Sequence, residues 1–188
     1  TFETNTAEDW AIIERQSALY HRDRQAKEVL AFLAASRDEP SYGWPCNNYG
    51  HSLQTATRAL RDGRDEEYVV CALLHDIGDT LGATNHPDIA AAILKPFVSE
   101  KILWIVQNHG IFQGRNFFHH LGLDRDMREQ FRGHEWFADT EEFIDKYDCP
   151  SFDPEYDTLP LEFFEPMVTK LFRHPLNSIY KREAEAAA

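Results

Sequence analysis

Apolar residues recur every three or four positions through most of the chain, which is the spacing that places them on one face of an α-helix. The first such segment follows Thr6, a typical N-cap residue, and carries Trp10, Ile13 and Leu19. Similar patterns predict further helices at about 24–35, 51–61, 66–75, 87–94, 99–106, 124–131, 140–147 and 161–172. The chain is therefore predicted to be mainly helical.

Two stretches break this pattern. Pro40, Gly43 and Pro45 interrupt residues 38–50 and predict a loop, and residues 78–85 form a second interruption. No segment alternates apolar and polar residues with the period of a β-strand. We therefore predict an all-α fold, a compact bundle in a single domain over residues 1–188. Its N-terminal helices lie in 7–36, its C-terminal helix at about 161–172, and the Ala-rich tail 183–188 is predicted to be frayed.

The charge balance narrows the range of partners. The chain carries 19 Lys and Arg against 32 Asp and Glu, a formal net charge of −13, and such a surface repels a phosphate backbone. We expect no nucleic-acid partner. Three cysteines without a CxxC pair favour a reducing compartment, and no apolar run approaches the ~18 residues of a membrane span. We therefore expect a cytoplasmic protein with no membrane partner, and the sequence leaves its oligomeric state open.

His75 and Asp76 directly follow the apolar run 69–74. Polar groups at the end of a buried helix need partners. A metal ion is one such partner, because imidazole nitrogen and carboxylate oxygen suit iron, zinc or manganese, and an aspartate can bridge two ions. The alternative is that His75 is a core histidine satisfied by hydrogen bonds, and the dipeptide alone does not decide between these interpretations.

Four further candidate ligands stand at the ends of predicted helices: His51, His86, His109 and Asp148. Together with His75-Asp76 they give the order His, His-Asp, His, His, Asp. In this order, and in the segments 50–56, 85–88, 108–110 and 146–148, the chain resembles the HD-domain superfamily. The resemblance covers residues 51–148, the predicted metal-binding core, and it implies a compact HD-domain helical bundle.

The resemblance also implies roles for these side chains. Dinuclear members of the superfamily suggest that Asp76 bridges two ions, that one ion is held by His51, His75 and Asp148, and that the other is held by His86 and His109. Asp153 and Asp157 are the rivals of Asp148 as the last ligand. The implied cofactor is a pair of iron ions in the mixed-valent Fe(II)/Fe(III) state, although the same ligand types also serve Mn or Zn.

Two reactions fit such a site. A phosphohydrolase uses two ions to activate a bridging water and to clamp the phosphate oxygens of a nucleotide or phosphoester. A diiron oxygenase uses O₂ to cleave a C–C or C–P bond of a small substrate, as the resemblance to myo-inositol oxygenase and to the phosphonate-cleaving HD oxygenases implies. A third alternative is a binding module that keeps the fold without turnover, which the complete ligand set disfavours.

The resemblance favours the oxygenase. Segment 50–56 is similar to the first-ligand segment of the phosphonate-cleaving enzymes, the spacing from His51 to His75 suits them, and segment 145–148 is similar to the last-ligand segment of the inositol enzyme. The segments that flank the ligands are also poor in the Lys and Arg that bind phosphate, with Arg115 and Arg132 the nearest.

Two departures from the oxygenases bear on the substrate. Asp79 stands where those enzymes carry a basic residue or a histidine, and Cys149 follows the last aspartate where the inositol enzyme has a lysine. A carboxylate at position 79 favours a substrate with an ammonium group or several hydroxyls. We therefore predict a small polar substrate, hydroxylated or amino-bearing, that is neither inositol nor a familiar aminophosphonate.

The remaining candidate residues flank the ligands. The predicted catalytic residues are His75, Asp76 and Asp79, with Tyr42 added because a tyrosine upstream of the first histidine occupies the iron in the phosphonate oxygenases until substrate displaces it. Packing of the loop is the alternative role for Tyr42. The predicted substrate contacts are Asp79, Gln113, Arg115, His119 and His120, and the alternative for the last two is a place on the surface.

Overall fold

The computed structural model describes residues 1–177, which contain nine α-helices and no β-strand. In chain order the helices of this part are α1 (Ala7–His21), α2 (Arg24–Ala35), α3 (Asn48–Arg61), α4 (Glu66–Leu74), α5 (Asp79–Gly82), α6 (His86–Leu94), α7 (Glu100–Gln113), α8 (Phe137–Phe143) and α9 (Leu161–Phe172). The predicted all-α fold is confirmed. The tail 183–188, predicted to be frayed, lies outside the described residues.

Helix α4 forms the centre of the bundle. Its N-terminus is capped by Asp65, whose carboxylate accepts a hydrogen bond from the backbone N–H of Tyr68 at 2.9 Å, and residues 68–74 are all buried. A helix that is apolar all round needs neighbours on every side, and α4 packs against α3, α7 and α9. Because α4 ends at Leu74, the next two residues, His75 and Asp76, enter the interior of the bundle.

Helix α3 begins three residues earlier than predicted, at Asn48 rather than His51, because Asn47 is its N-cap. The side-chain oxygen of Asn47 accepts a hydrogen bond from the backbone N–H of Gly50 at 3.0 Å. Its amide nitrogen donates to three backbone carbonyls in the segment 36–39. Asn47 therefore ties the preceding loop to the helix and fixes His51 near the first turn of α3.

The segments between α7 and α9 are less regular than the pattern predicted. The predicted helix at 124–131 is a 3₁₀ turn over Met127–Phe131, and the one at 140–147 is α8 followed by a π-helical turn over Ile144–Asp148. Isolated π turns are frequent at functional sites. This one ends at Asp148, a candidate ligand.

The N-terminal helix contrasts with the bundle. Side chains of α2 at Leu30 and Leu33 are buried against the core, whereas α1 has no buried residue. Among residues 1–177, no helix has the combined length and apolarity that crossing a bilayer requires.

Candidate metal centre

Five elements bring the six candidate ligands together. His51 lies near the start of α3, His75 and Asp76 directly follow α4, and His86 begins α6. His109 lies in the last turns of α7, and Asp148 ends the π turn. The rival aspartates have other partners. Asp157 forms a salt bridge with Arg61, and Asp153 accepts a hydrogen bond from the backbone N–H of Glu155.

One part of the cluster is almost completely buried, and we call it the buried half: His51, His75 and Asp148, each at most 1% exposed. The Nε2 atoms of His51 and His75 lie 3.2 Å apart, and Oδ1 of Asp148 lies 3.2 Å from Nε2 of His51 and 3.8 Å from Nε2 of His75. Oδ2 of Asp76 completes this half at 3.5 Å from both imidazoles. Two nitrogens and two carboxylate oxygens thus face one point.

The second part, which we call the open half, consists of His86 and His109 with the other oxygen of Asp76. The Nε2 atoms of these histidines lie 3.1 Å apart, and Oδ1 of Asp76 lies 3.2 Å from Nε2 of His86 and 3.0 Å from Nε2 of His109. The side chains of His86 and Asp76 are 20% and 17% exposed. Asp76 therefore directs one oxygen to each half, which is the arrangement of a bridging carboxylate.

A glycine allows the two halves to approach. A Cβ atom at Gly78 would lie 2.6 Å from the backbone oxygen of His86 and 2.7 Å from Cβ of Ile89. Any larger residue at this position would push the start of α6 away from the His75-Asp76 segment. Gly78 thus keeps His86 within reach of Asp76.

All four histidines use Nδ1 in the same way. It donates a hydrogen bond to a backbone carbonyl, that of Ser151 for His51, and that of the residue three positions earlier for His75, His86 and His109, at distances of 2.7–3.1 Å. Because a carbonyl oxygen only accepts, Nδ1 carries the proton and Nε2 presents its lone pair to the cluster. Such outer hydrogen bonds are what orient histidine ligands in metal sites.

The electrostatics of the cluster fit a cation. Burial lowers the pKa of His75, but Asp76 and Asp148 outweigh this effect and raise it to about 9. Burial raises the pKa of Asp76 and Asp148, but the neighbouring histidines outweigh it and hold both pKa values below the ordinary range. In the neutral histidines the paired Nε2 lone pairs, 3.1–3.2 Å apart, repel each other unless a positive charge, either a proton or a metal ion, lies between them.

These donors could hold metal. In each of two groups of three side chains, the ligand atoms all lie within 4.8 Å of one another: His51, His75 and Asp148 form one group, and His75, Asp76 and His109 form the other, so that His75 belongs to both. Imidazole with carboxylate suits iron, zinc or manganese. A cation in each half would also relieve the repulsion between the facing imidazoles.

A cavity of about 470 Å³ opens over the cluster, and His51, Asp76 and His86 line its floor. Three of the other predicted site residues, Tyr42, Asp79 and Gln113, also line it. Asp79 lies 4.0 Å from His86, and burial together with Asp76 raises the pKa of Asp79. Tyr42 is 85% exposed and has a φ of 51°, a left-handed conformation that is uncommon for a residue with a side chain.

Gln113 lies closer to the cluster than its predicted role in substrate binding suggested. Its amide nitrogen donates to both carboxylate oxygens of Asp148, at 3.1 and 3.2 Å. Because Asp148 is completely buried, this amide is a main determinant of its orientation.

The other predicted substrate contacts lie apart from the cavity. Within the described part of the chain, its lining does not include Arg115, His119 or His120. Arg115 forms salt bridges with Asp126 and Glu129, and the two histidines are exposed and contact each other, with ring centroids 3.9 Å apart. Their part in substrate binding remains a prediction that this geometry does not support.

Sequence reasoning missed the aromatic wall of the cavity. The ring of Phe152 stacks on His51 at 4.2 Å between centroids, and Trp44 stacks on Phe152 at 4.6 Å. Trp44 lies in the loop before α3, and Phe152 follows the last ligand by four residues, so no periodic pattern joins them. The one sequence signal was that an aromatic residue, Phe152, stands only four positions after the candidate ligand Asp148. In the structure the backbone carbonyl of the preceding residue, Ser151, accepts the hydrogen bond from His51.

Asn48 was also missed, although it begins α3. Its amide nitrogen donates to the backbone carbonyl of Asp76 at 3.2 Å, and it lines the cavity. Asn48 thereby connects the start of α3 to the segment that carries the bridging carboxylate.

Comparison with known proteins agrees with this geometry. No curated protein matches the chain. The family model described as HD domain matches residues 48–135, a segment that contains five of the six candidate ligands and ends before Asp148. Over this segment the chain is similar to the HD domain, whose members are typically metal-dependent enzymes.

Proposed function

We propose that the chain is a dinuclear oxygenase that uses O₂ to cleave a bond, C–C or C–P, in a small polar substrate with hydroxyl or amino groups. The observation that carries this proposal is the charge of the cavity. Besides the candidate ligand Asp76, its described lining contains the carboxylates Glu39 and Asp79 and neither Lys nor Arg. A phosphohydrolase binds its anionic substrate with such cations, so their absence from this lining favours a neutral or cationic substrate.

The same charge distribution bears on which bond is cleaved. A phosphonate group is itself an anion and would meet Glu39 and Asp79 with no basic side chain to offset them. We therefore favour a C–C bond over a C–P bond. The proposed metal is iron, with Mn or Zn as the alternatives that the ligand types allow.

The side chains have separate tasks in this proposal. His51, His75, Asp76, His86, His109 and Asp148 would hold the ions, which when bound would supply the binding and reduction of O₂. Glu39 and Asp79 accept hydrogen bonds from substrate hydroxyl or ammonium groups. The wall of Trp44 and Phe152 shields the cluster from water on one side, because Phe152 stacks on His51 and Trp44 stacks on Phe152.

Tyr42 is proposed as a group that contacts the iron before substrate binds, because it lies on the loop that borders the cavity. Its exposure and left-handed φ are compatible with a loop that moves. We expect Tyr42→Phe to change the optical and paramagnetic spectra of the substrate-free iron protein, with unchanged metal content. Identical spectra would leave Tyr42 as a loop residue.

The test of the proposed function uses protein purified without O₂ and reconstituted with Fe(II). After partial oxidation we expect an electron paramagnetic resonance signal of a coupled mixed-valent pair, altered by polyols or amino alcohols, and O₂ uptake with those compounds. Asp148→Asn should abolish the signal, and Asp153→Asn is the matched control. Release of phosphate from nucleotides with Mn²⁺ or Mg²⁺, without O₂ uptake, would instead assign a phosphohydrolase.

A further inference from the structure

Local sequence signals favour helix α1, but the rest of the bundle does not bury its apolar side chains. Thr6 and Asp9 make a reciprocal capping box at its N-terminus, which is a strong local signal for a helix. Yet Trp10, Ile12, Ile13, Leu19 and Tyr20 are all exposed, between 39% and 70%. An isolated helix of this length is marginally stable in water, and soluble monomers rarely leave such apolar surface open.

The exposed apolar residues form two faces. Trp10, Ile13, Ser17 and Tyr20 are spaced by three, four and three residues, so they fall within about 80° of one another around the helix. We call this stripe the seam. Ile12 and Leu19 lie on the opposite face. The seam is extended at one end by Phe2, whose ring packs 5.5 Å from that of Trp10.

The spacing of the seam is the same in both directions. It has an aromatic ring at each end and a smaller side chain at each inner position, Ile13 and Ser17. In an antiparallel pair of identical helices, each residue of the seam then meets another residue of the seam. Trp10 faces the second copy's Tyr20, and Ile13 faces the second copy's Ser17, whose short side chain leaves the space beside the isoleucine unfilled.

The charges of α1 agree with the same arrangement. Glu8 and Asp9 lie at its N-terminal end, and His21 and Arg22 lie at its C-terminal end. Antiparallel pairing puts the acidic end of each helix beside the basic end of the other and opposes the two helix dipoles. Parallel pairing would place like charges together.

We propose that the seam of α1 binds a second copy of this chain as an antiparallel helix pair around a twofold axis. A surface that is complementary to itself is what such a symmetric interface requires. Two helices of about 22 Å bury less area than a standard interface of roughly 1,600 Å², so the expected dissociation constant is micromolar.

Adjacent isoleucines provide a matched test. Ile13 lies in the seam and Ile12 on the opposite face, and both are similarly exposed, at 42% and 46%. In sedimentation equilibrium of the full chain, we expect Ile13→Glu to weaken dimerisation by at least about tenfold and Ile12→Glu to change it less than about twofold. Circular dichroism and metal content should be unchanged in both variants, because neither residue contacts the bundle core.

A gain of affinity is the second part of the test. Ser17→Leu fills the inner position of the seam twice per dimer, and we expect it to tighten dimerisation by at least about tenfold. A chain that is monomeric at about 100 µM would overturn the proposal, as would equal effects of the two isoleucine variants or a weaker dimer with Ser17→Leu.

Discussion

The two halves of the candidate metal centre share one carboxylate but differ in their access to solvent. His51, His75 and Asp148 in the buried half are at most 1% exposed, whereas His86 in the open half is 20% exposed; His51 and His86 both line the cavity, and His109 is buried. The difference follows from their supports. His51 lies on the packed helix α3 and His75 directly follows the packed helix α4, whereas His86 lies at the start of α6 after an irregular segment. The open half is therefore where we expect ion exchange and substrate access.

The largest effect should come from the side chain that both halves share. Asp76→Ala removes one ligand oxygen from each half, so we expect loss of both ions and at least about a 100-fold loss of activity. His75→Ala should likewise abolish activity and reduce the metal content. Metal analysis by mass spectrometry checks this, with the exposed Asp153→Ala as control. Full metal content in both ligand variants would contradict the assignment.

Loss of the ions should also lower the melting temperature. Ligands that bind only the folded state stabilise it, by about 2.7 kcal/mol at 100 times the dissociation constant. In a thermal scan, wild-type protein treated with a chelator should therefore resemble Asp76→Ala.

Substitutions within one half should separate the two halves. We expect His86→Ala to lower the metal content from about two ions to about one, because the ligands of the buried half stay in place. His51→Ala should remove the other ion and also destabilise the bundle, because a buried ring that stacks on Phe152 is lost. Metal analysis with calorimetric titration distinguishes the outcomes. Equal losses in the two variants would show that the ions bind only as a pair.

Features that depend on neighbouring residues in the sequence could be predicted, and features that depend on the path of the chain could not. The helices at 24–35 and 161–172 were predicted to the residue, because the apolar spacing and the punctuation at their ends are local. The convergence of His51 with Asp148 was not local and came from a resemblance. The contact of Trp44 with Phe152 and the hydrogen bond from Gln113 to Asp148 depend on the paths of loops. The spacing of apolar residues along the sequence does not predict such paths. Arg115 was predicted to contact substrate because its segment closely follows His109, but its guanidinium pairs with Asp126 instead.

Protons should compete with metal at His75, in the buried half. In the metal-free protein the pKa of His75 is raised to about 9 from 6.5, despite burial, by Asp76 and Asp148. Below pH 9 an ion must therefore displace this proton, so we expect metal affinity to rise with pH up to about 9, by up to about tenfold per pH unit for each proton released. Calorimetry in buffers of different ionisation enthalpy measures that release.

The stability of the metal-free protein should change in the opposite direction. A raised folded-state pKa contributes stability below pH 6.5 that is lost as the pH rises through about 9. The melting temperature of chelated protein should thus fall between pH 6.5 and pH 9, while that of the metal-loaded protein falls less. A metal affinity that is constant over this range would contradict the assigned protonation of His75.

The smallest effect should come from a residue that contacts only one ligand. Gln113 donates to both oxygens of Asp148 and thus holds the buried half, although it borders the cavity. Gln113→Leu leaves that buried carboxylate without its amide donor, so we expect metal affinity in the buried half to fall by about tenfold, with the open half unchanged. Gln113→Glu should weaken it further, because a second carboxylate then faces Asp148.

Asn116→Leu is the matched control, since Asn116 also borders the cavity but donates to Cys149. If Gln113→Leu instead changes substrate affinity alone, Gln113 is a substrate contact, as the sequence suggested, and Asp148 is oriented by its histidines.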